Sequence, residues 1–266
     1  MKHAAIAILL CLTVQMCAAQ NLYDTTHIRI FAEYLYNTQQ YQFAAEEYAR
    51  LADSTCSNSL DYAFKTIDCY SIIYDYKNAE KTFEKYILPQ CQTQPGYYFH
   101  YVKLLINSGE YAKAYTYCDS LQSPYTIKGT NIKNCLAVIN QTPADINNPL
   151  LTPEVKSFCQ RKLDKKSMLI AVSMSAVLPG SGRIYCGYVR EGIMALLRSG
   201  FELAHVAYGF HKYGYKDPYP LFFASLSACF YVGNIFGTAK SVNKYNNTIK
   251  KKHDEQIVDY MHDNLF

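Results

Sequence analysis

Residues 178–197 read LPGSGRIYCGYVREGIMALL, and this stretch contains one proline and four glycines around Tyr185. Apolar segments lie on both sides of it. Proline ends or kinks a helix, and glycine permits tight turns and very close contact between helices. The stretch therefore predicts a break between helices, at the point where an exported half of the chain gives way to a membrane-embedded half.

The segment at 218–239 contains 22 residues without a formal charge. At a rise of ~1.5 Å per residue, a helix of this length crosses a hydrocarbon layer of ~30 Å. Gly233 and Gly237 form a GxxxG pattern inside the segment. Small residues at this spacing let a second helix approach closely in a membrane. The segment therefore predicts a transmembrane helix with a packing stripe.

Residues 190–211 predict a second span, which contains Arg198, Glu202 and His205. A charge at mid-membrane costs ~2.5–3.5 kcal/mol on insertion scales. Arg198 and Glu202 are four residues apart and share a helical face, where pairing would offset much of that cost. We interpret the cluster as a structural ion pair with a histidine near the same face. The alternative is an intramembrane polar site for a lipid head group, an ion or a partner.

The segment at 167–182 is uncharged but short for a span, so it is either a short first span or a re-entrant helix and turn. The membrane domain is then expected at 166–240, followed by an exposed, charged helical tail at 241–266. The lysines on the two sides of this domain give conflicting orientation signals. Two full spans are favoured over three, and the side of the C-terminus stays open.

Residues 1–19 have the features of a secretory signal peptide. Lys2 and His3 precede an apolar run, and small residues suited to cleavage follow Cys17. Acylation of Cys17 and an uncleaved anchor are the alternatives. A cleaved signal places the next part of the chain outside the cytoplasm.

The exported half, at 20–165, contains a Tyr-x-x-Ala pattern three times with a step of 35 residues. Its members are Tyr41 and Ala44, Tyr76 and Ala79, and Tyr111 and Ala114. Small and aromatic residues at a fixed period are typical of stacked helix hairpins, because one hairpin cannot bury its apolar face alone. Further helices at 129–141 and 153–165 are expected to form an atypical terminal pair.

Six of the ten cysteines lie in this exported half: Cys56, Cys69, Cys91, Cys118, Cys135 and Cys159. Disulfides are possible in an exported domain, and six cysteines allow 15 pairings among which the sequence does not choose. Buried free thiols are the alternative. The cysteine spacing does not suggest a metal site.

The 35-residue pattern resembles tetratricopeptide repeats over residues 25–122, although related helical solenoids would also fit. The glycine-rich stretch resembles small two-span membrane domains of the TM2 type. It is still more similar to a P-G-x-G-x-x-Y-x-G element that follows helical repeats in envelope proteins of Bacteroidetes-like bacteria. The matching positions are Pro179, Gly180, Gly182, Tyr185, Gly187 and Gly192. The resemblance implies architecture and location, and it implies no catalytic residues.

We therefore expect an all-α protein, with an exported helix-hairpin solenoid followed by a small transmembrane domain. The expected function is a non-catalytic interaction scaffold in the bacterial inner membrane, with its repeats on the periplasmic side and no cofactor. A protein or peptide partner, the lipid membrane and a homo-oligomer are the expected contacts. The net charge is +4, and the basic residues do not cluster into a stripe, which argues against binding to nucleic acid. The alternative is an envelope transport or biogenesis accessory, or an intramembrane enzyme that uses Arg198, Glu202 and His205.

Overall fold

The structure is a computed structural model that describes residues 24–54, 58–94 and 96–266. Twelve α-helices and no strand occur in these ranges, which confirms the expectation of an all-α chain. The signal-peptide prediction at 1–19 and Cys56 lie outside the described residues. The chain divides into two compact units: one reaches Cys159 and also holds the last three residues, and the other is Gln160–Asp263.

The first unit contains three helix pairs whose second helices begin 35 residues apart. The pairs are α1 (Thr25–Asn37) with α2 (Tyr41–Asp53), α3 (Ser59–Ile72) with α4 (Tyr76–Thr82), and α5 (Tyr97–Asn107) with α6 (Tyr111–Tyr117). A π-helical turn at Phe83–Ile87 extends α4, and a 3-10 turn at Cys118–Ser120 extends α6. Two further helices follow, α7 (Thr126–Ile139) and α8 (Pro153–Gln160).

The first helix of every pair ends in the same way, with one residue in the left-handed backbone region. These residues are Gln39, Tyr74 and Gly109, with φ of 62°, 60° and 81°. The amide of the next residue then donates to a carbonyl five positions upstream, at 2.9 Å in all three pairs. This geometry closes a helix by satisfying its last carbonyl groups. Helix α7 ends identically at Gln141 (φ 58°), so it is equivalent to the first helix of a pair.

The alanines of the Tyr-x-x-Ala pattern lie at the centre of the packing. Ala44, Ala79 and Ala114 are completely buried, and the large rings of Tyr48 and Phe83 are buried close to them in sequence. Alanine at these positions leaves room for neighbouring side chains, because protein interiors are close-packed. The pattern therefore indicates where helices of the first unit meet.

Ion pairs join the second helices of successive pairs. Lys113 Nζ on α6 donates to Glu80 Oε1 at 2.5 Å and to Glu84 Oε1 at 2.6 Å. The hydroxyl of Tyr101 donates to the same Glu84 oxygen at 3.0 Å. The hydrogen bond from Lys113 lowers the pKa of Glu84, as does the one from Tyr101, while partial burial opposes them. The network therefore favours a charged carboxylate at the repeat boundary.

The described cysteines are all free thiols, and no disulfide occurs among them. Burial raises the pKa of Cys118 and of Cys135 to about 12, and that of Cys69 to about 11. A thiol with so high a pKa is a poor nucleophile at neutral pH. These cysteines act as small apolar core residues.

The second unit contains α9 (Met168–Val177), α10 (Ser181–Tyr185), α11 (Val189–Tyr213) and α12 (Pro218–Asn264). Among the described helices, α12 is the one long and apolar enough to cross a membrane, although this is weak evidence by itself. The predicted spans at 190–211 and 218–239 lie within α11 and α12. The segment predicted at 167–182 consists of α9 and the turn into α10.

Two expectations about helix ends and exposure are wrong. Helix α8 ends at Gln160 rather than at residue 165. The side-chain amide of Asn246 accepts from the N–H of Lys166 at 2.8 Å and donates to its carbonyl at 3.0 Å. These bonds hold the segment between α8 and α9 in a non-helical conformation. The tail at 241–266 is not simply exposed, because it continues α12 and buries Val242, Ile257 and Met261 along one face.

Enlarging an alanine of the pattern should destabilise the first unit. Ala114→Leu is expected to cost about 1–3 kcal/mol, because a fully buried site cannot accept three more carbon atoms without strain. Ala112→Leu is the matched control, since Ala112 is exposed on the same helix. Thermal unfolding of the full chain in detergent, followed by helical circular dichroism, measures the difference. Equal unfolding midpoints for the two variants would contradict the packing role of Ala114.

Lys113→Gln should destabilise the chain by about 0.2–1 kcal/mol at neutral pH, the range for solvent-exposed ion pairs. The pKa of Glu84 is lowered in the folded chain, so its ion pair stabilises the chain fully above the ordinary glutamate pKa of 4.5. This stabilisation is lost as the pH falls below that value. The difference between wild type and Lys113→Gln should therefore shrink in acid. Lys77→Gln, an exposed lysine on α4, is the control and should show no such pH dependence in thermal unfolding.

Candidate functional site

Gly180 and Gly192 bring the start of α10 against α11. A Cβ at Gly180 would collide with the carbonyl oxygen of Gly192. A Cβ at Gly192 would lie 2.7 Å from the Gly180 oxygen and would also collide with Ile184. Gly180 has a φ of 90°, which disfavours any other residue. These two motif positions therefore permit a backbone contact that no side chain could occupy.

Gly182 lies in a buried polar seam between α9, α10 and α12. Its amide donates to Ser175 Oγ at 3.0 Å, and that oxygen is 2.8 Å from Thr238 Oγ1. Gly182, Ser175 and Thr238 are all buried, and a Cβ on Gly182 would collide with the carbonyl oxygen of Ala171. The seam satisfies backbone and hydroxyl groups that would be costly to bury unpaired.

The remaining motif positions form turns and aromatic contacts. Pro179 follows the C-terminus of α9, and Gly187 (φ 83°) forms the turn between α10 and α11. The ring of Tyr185 lies 5.1 Å from Lys166 Nζ and packs beside a small core that contains Cys186. The structure gives all six motif residues a place in turns or packing.

The predicted cluster of Arg198, Glu202 and His205 does not assemble. Arg198 lies over the ring of Phe230 at 5.1 Å and forms no ion pair with Glu202. Glu202 is buried, and its Oε2 has no hydrogen-bond partner within the described part of the chain. His205 stacks on Phe223 and its Nδ1 lies 2.9 Å from a carbonyl of its own helix. The expected Arg198–Glu202 pair is therefore wrong.

The GxxxG stripe of α12 receives an arginine side chain in place of a helix. A Cβ at Gly237 would collide with the guanidinium of Arg183, whereas Gly233 has open space where a Cβ would lie. Arg183 comes from α10, so Gly237 makes room for a side chain of the same unit. Within this chain, the expectation of a helix packed on the stripe is not met.

An arginine-lined cleft of about 480 Å³ lies beside this contact. Its lining residues are Arg183, Arg190, Glu191, Met194, Ala195, Arg198, Ser199, Phe230, Gly233 and Asn234. Arg183 comes from α10, and Arg190 and Arg198 come from α11, about two turns apart. No motif in the sequence marks Arg190 or Asn234, although the eight-residue spacing of Arg190 and Arg198 places them on one face of a helix.

The first unit has an exposed apolar surface on α1, which we call the open end. Ile30, Phe31 and Tyr34 are 55%, 50% and 58% exposed, and they line a concavity of about 610 Å³ together with Glu47 and Arg50 of α2. Clusters of three or more His, Cys, Asp or Glu residues that could hold a metal are not found in the described ranges.

Gly182→Ala should loosen the seam of the second unit. The added methyl group collides with Ala171 and crowds Ser175 and Thr238, so Cys186 (2% exposed) should open to solvent more often. We expect its alkylation to be roughly tenfold faster, which corresponds to about 1.4 kcal/mol of local stability. Site-resolved mass spectrometry of the alkylated full chain in detergent measures this rate.

Gly200→Ala is the matched control, because no atom lies within 4 Å of the position of its added Cβ. Alanine also favours the helix there by up to ~1 kcal/mol. Exposed Cys229 serves as an internal standard for reagent strength. If Cys186 were alkylated at the same rate in both variants, the seam would not hold the three helices together.

Comparisons with protein-family models, with curated proteins and with solved structures give no match for this chain. The resemblances to tetratricopeptide repeats and to TM2-type membrane domains therefore rest on the residues named above.

Proposed function

We propose that the chain is a membrane-anchored, tetratricopeptide-like scaffold of the bacterial cell envelope that binds a protein partner and carries out no chemistry itself. The observation that carries this proposal is the open end of the first unit. An exposed apolar surface of this kind marks an interaction site in a soluble domain. The repeat pattern indicates how that surface is normally covered.

The open end occupies positions that are buried in later repeats. Phe31 is 50% exposed, whereas its equivalents 35 and 70 residues later, Thr66 and Tyr101, are completely buried. Tyr34 is likewise exposed, and its equivalent Cys69 is fully buried. Each later repeat has a preceding repeat to cover this face. Stacked repeats need a polar cap or a partner where the stack begins, and α1 supplies no polar cap.

A separate protein that presents an apolar, helix-sized surface is the occupant that fits the open end, because equivalent positions in the later helix pairs are covered by a neighbouring helix pair.

The anchoring part of the proposal rests on the surface of the second unit. Leu169 and Val177 of α9 are 78% and 88% exposed, and Phe236 of α12 is 70% exposed. Apolar side chains at this exposure suit contact with lipid. Together with the length of α12, they support a membrane anchor. The inner membrane and the periplasmic side follow from the proposed signal peptide and from the resemblance to envelope proteins.

The alternative of an intramembrane enzyme or transport accessory depended on a polar cluster in α11, and that cluster does not assemble. Arg198 lies over Phe230, and His205 stacks on Phe223. No hydrogen bond or ion pair joins Arg198, Glu202 and His205 in the described ranges. A scaffold needs no such site, because the open end by itself provides a surface for binding a partner protein.

We expect Ile30→Glu and Phe31→Glu to abolish capture of the partner. Placing a charge in the centre of an apolar interface costs well over 1.4 kcal/mol, which weakens binding by more than about tenfold. The measurement uses full-length chain in native membranes, with a photo-crosslinking amino acid at Tyr34 and mass spectrometry of the adducts. The crosslinked protein should be lost in both variants.

Ile127→Glu is the matched control, because Ile127 is 56% exposed on α7 of the same unit, almost the same as Ile30. It should leave the crosslinked adduct unchanged. Recovery of the same adduct from all three variants would contradict the proposed interface. Release of the chain from membranes by an alkaline carbonate wash would contradict the anchor separately.

A further inference from the structure

The arginines of the cleft in the second unit form no direct ion pair. Arg183, Arg190 and Arg198 form no ion pair and no hydrogen bond with a carboxylate anywhere in the described ranges, although the charge of Arg198 acts on Glu202 of the same helix. Glu191 lines the same cleft and is itself outside any ion pair there. The lining therefore carries three positive charges against one negative charge. An anion in the cleft reduces the repulsion among these positive charges.

Two buried polar atoms beside the cleft are also unsatisfied. Arg183 Nε and Asn234 Oδ1 are buried without a hydrogen-bond partner in the part of the chain that is described. Asn234 is only 5% exposed and lines the cleft. Buried polar groups are normally satisfied, and the unpaired Nε–H donor of Arg183 is a group that an anion in the cleft would satisfy.

The shape and the chemistry of the cleft select the ligand class. A guanidinium presents its donors as a planar fork, which matches two oxygens of a phosphate group. A volume of about 480 Å³ accommodates a phosphate with a small polar substituent. Met194, Ala195 and Phe230 form the apolar part of the wall, which suits a ligand with an attached hydrocarbon portion.

The part of the cleft that contains Arg190 and Asn234 lies at a suitable depth for a lipid head group. Asn234 lies five residues before Ala239, the last residue of the uncharged stretch of α12, which corresponds to ~8 Å along a helix. Arg190 is in the first turn of α11. Basic pockets near the ends of membrane helices are suited to anionic head groups.

We propose that the cleft formed by Arg183, Arg190 and Arg198 binds a phosphate group, carried either by a membrane phospholipid or by a soluble phosphate compound. The anion bridges the guanidinium groups of α10 and α11 and thereby links these two helices. This inference concerns the second unit alone and does not depend on the partner of the open end.

The test uses the full chain in a nonionic detergent and follows its thermal unfolding midpoint as ligand is added, because a ligand that binds the folded state raises that midpoint. Three probes distinguish the sources: inorganic phosphate, short-chain phosphatidylglycerol, and short-chain diacylglycerol without a phosphate. A rise with phosphatidylglycerol alone identifies a lipid, and a rise with inorganic phosphate as well identifies a soluble phosphate. Both results support the site.

Arg190→Gln and Arg198→Gln should each weaken the apparent affinity about tenfold or more, as expected from the loss of a charge-assisted hydrogen bond. Arg198→Lys keeps the charge but loses the fork, and should lie between. Lys240→Gln, an exposed lysine just beyond the uncharged stretch, is the control and should bind as the wild type does. Arg190 is exposed, so its variant keeps the test valid even if Arg198→Gln fails to fold.

Three results would overturn the proposal. The first is an absence of any rise with both phosphate-bearing probes. The second is an equal rise with diacylglycerol, which would show that only the hydrocarbon portion matters. The third is an unchanged affinity in the Arg190→Gln variant.

Discussion

The contact of Gly182 with α9 and α12 is the constraint on which the second unit depends. The absence of a side chain lets the backbone of α10 reach the carbonyl of Ala171, and it lets its amide reach Ser175 Oγ. The hydroxyl of Ser175 is also hydrogen-bonded to Thr238 of α12, so the contact at Gly182 links α9, α10 and α12. In an apolar environment such a polar seam is worth more than an equal area of aliphatic contact, because leaving its groups unpaired is costly.

The seam also positions the arginines. Arg183 follows Gly182 directly, and with α10 held close to α12 its guanidinium lies against Gly237. Arg198 reaches the same side of α12 and lies over Phe230. A glycine pattern that resembles a helix-packing stripe thus makes room for charge. The cleft is a consequence of backbone packing, and its chemistry comes from side chains that the packing brings together.

The first unit follows a different logic, in which each helix pair covers the apolar face of its neighbour. The 35-residue period was readable from Tyr41, Tyr76 and Tyr111, because aromatic and small residues must recur wherever equivalent contacts recur. The helix ends at Gln39 and Tyr74 were less evident, since residues other than glycine are uncommon in the left-handed region. The 35-residue spacing places them at positions equivalent to Gly109, but only the backbone shows that they adopt the same left-handed conformation.

Local pattern by itself determined the helical class, the 35-residue spacing of three helices in the first unit, the burial of the alanines and the uncharged stretch of α12. These depend on periodicity and length, which are properties of neighbouring residues along the chain. Only the tertiary structure decided that Arg198 lies over Phe230 and forms no ion pair with Glu202. It also decided that Asn246 binds the backbone of Lys166 and that three arginines line one cleft. Such choices depend on which distant groups compete for a side chain, and spacing along one helix carries no information about that competition.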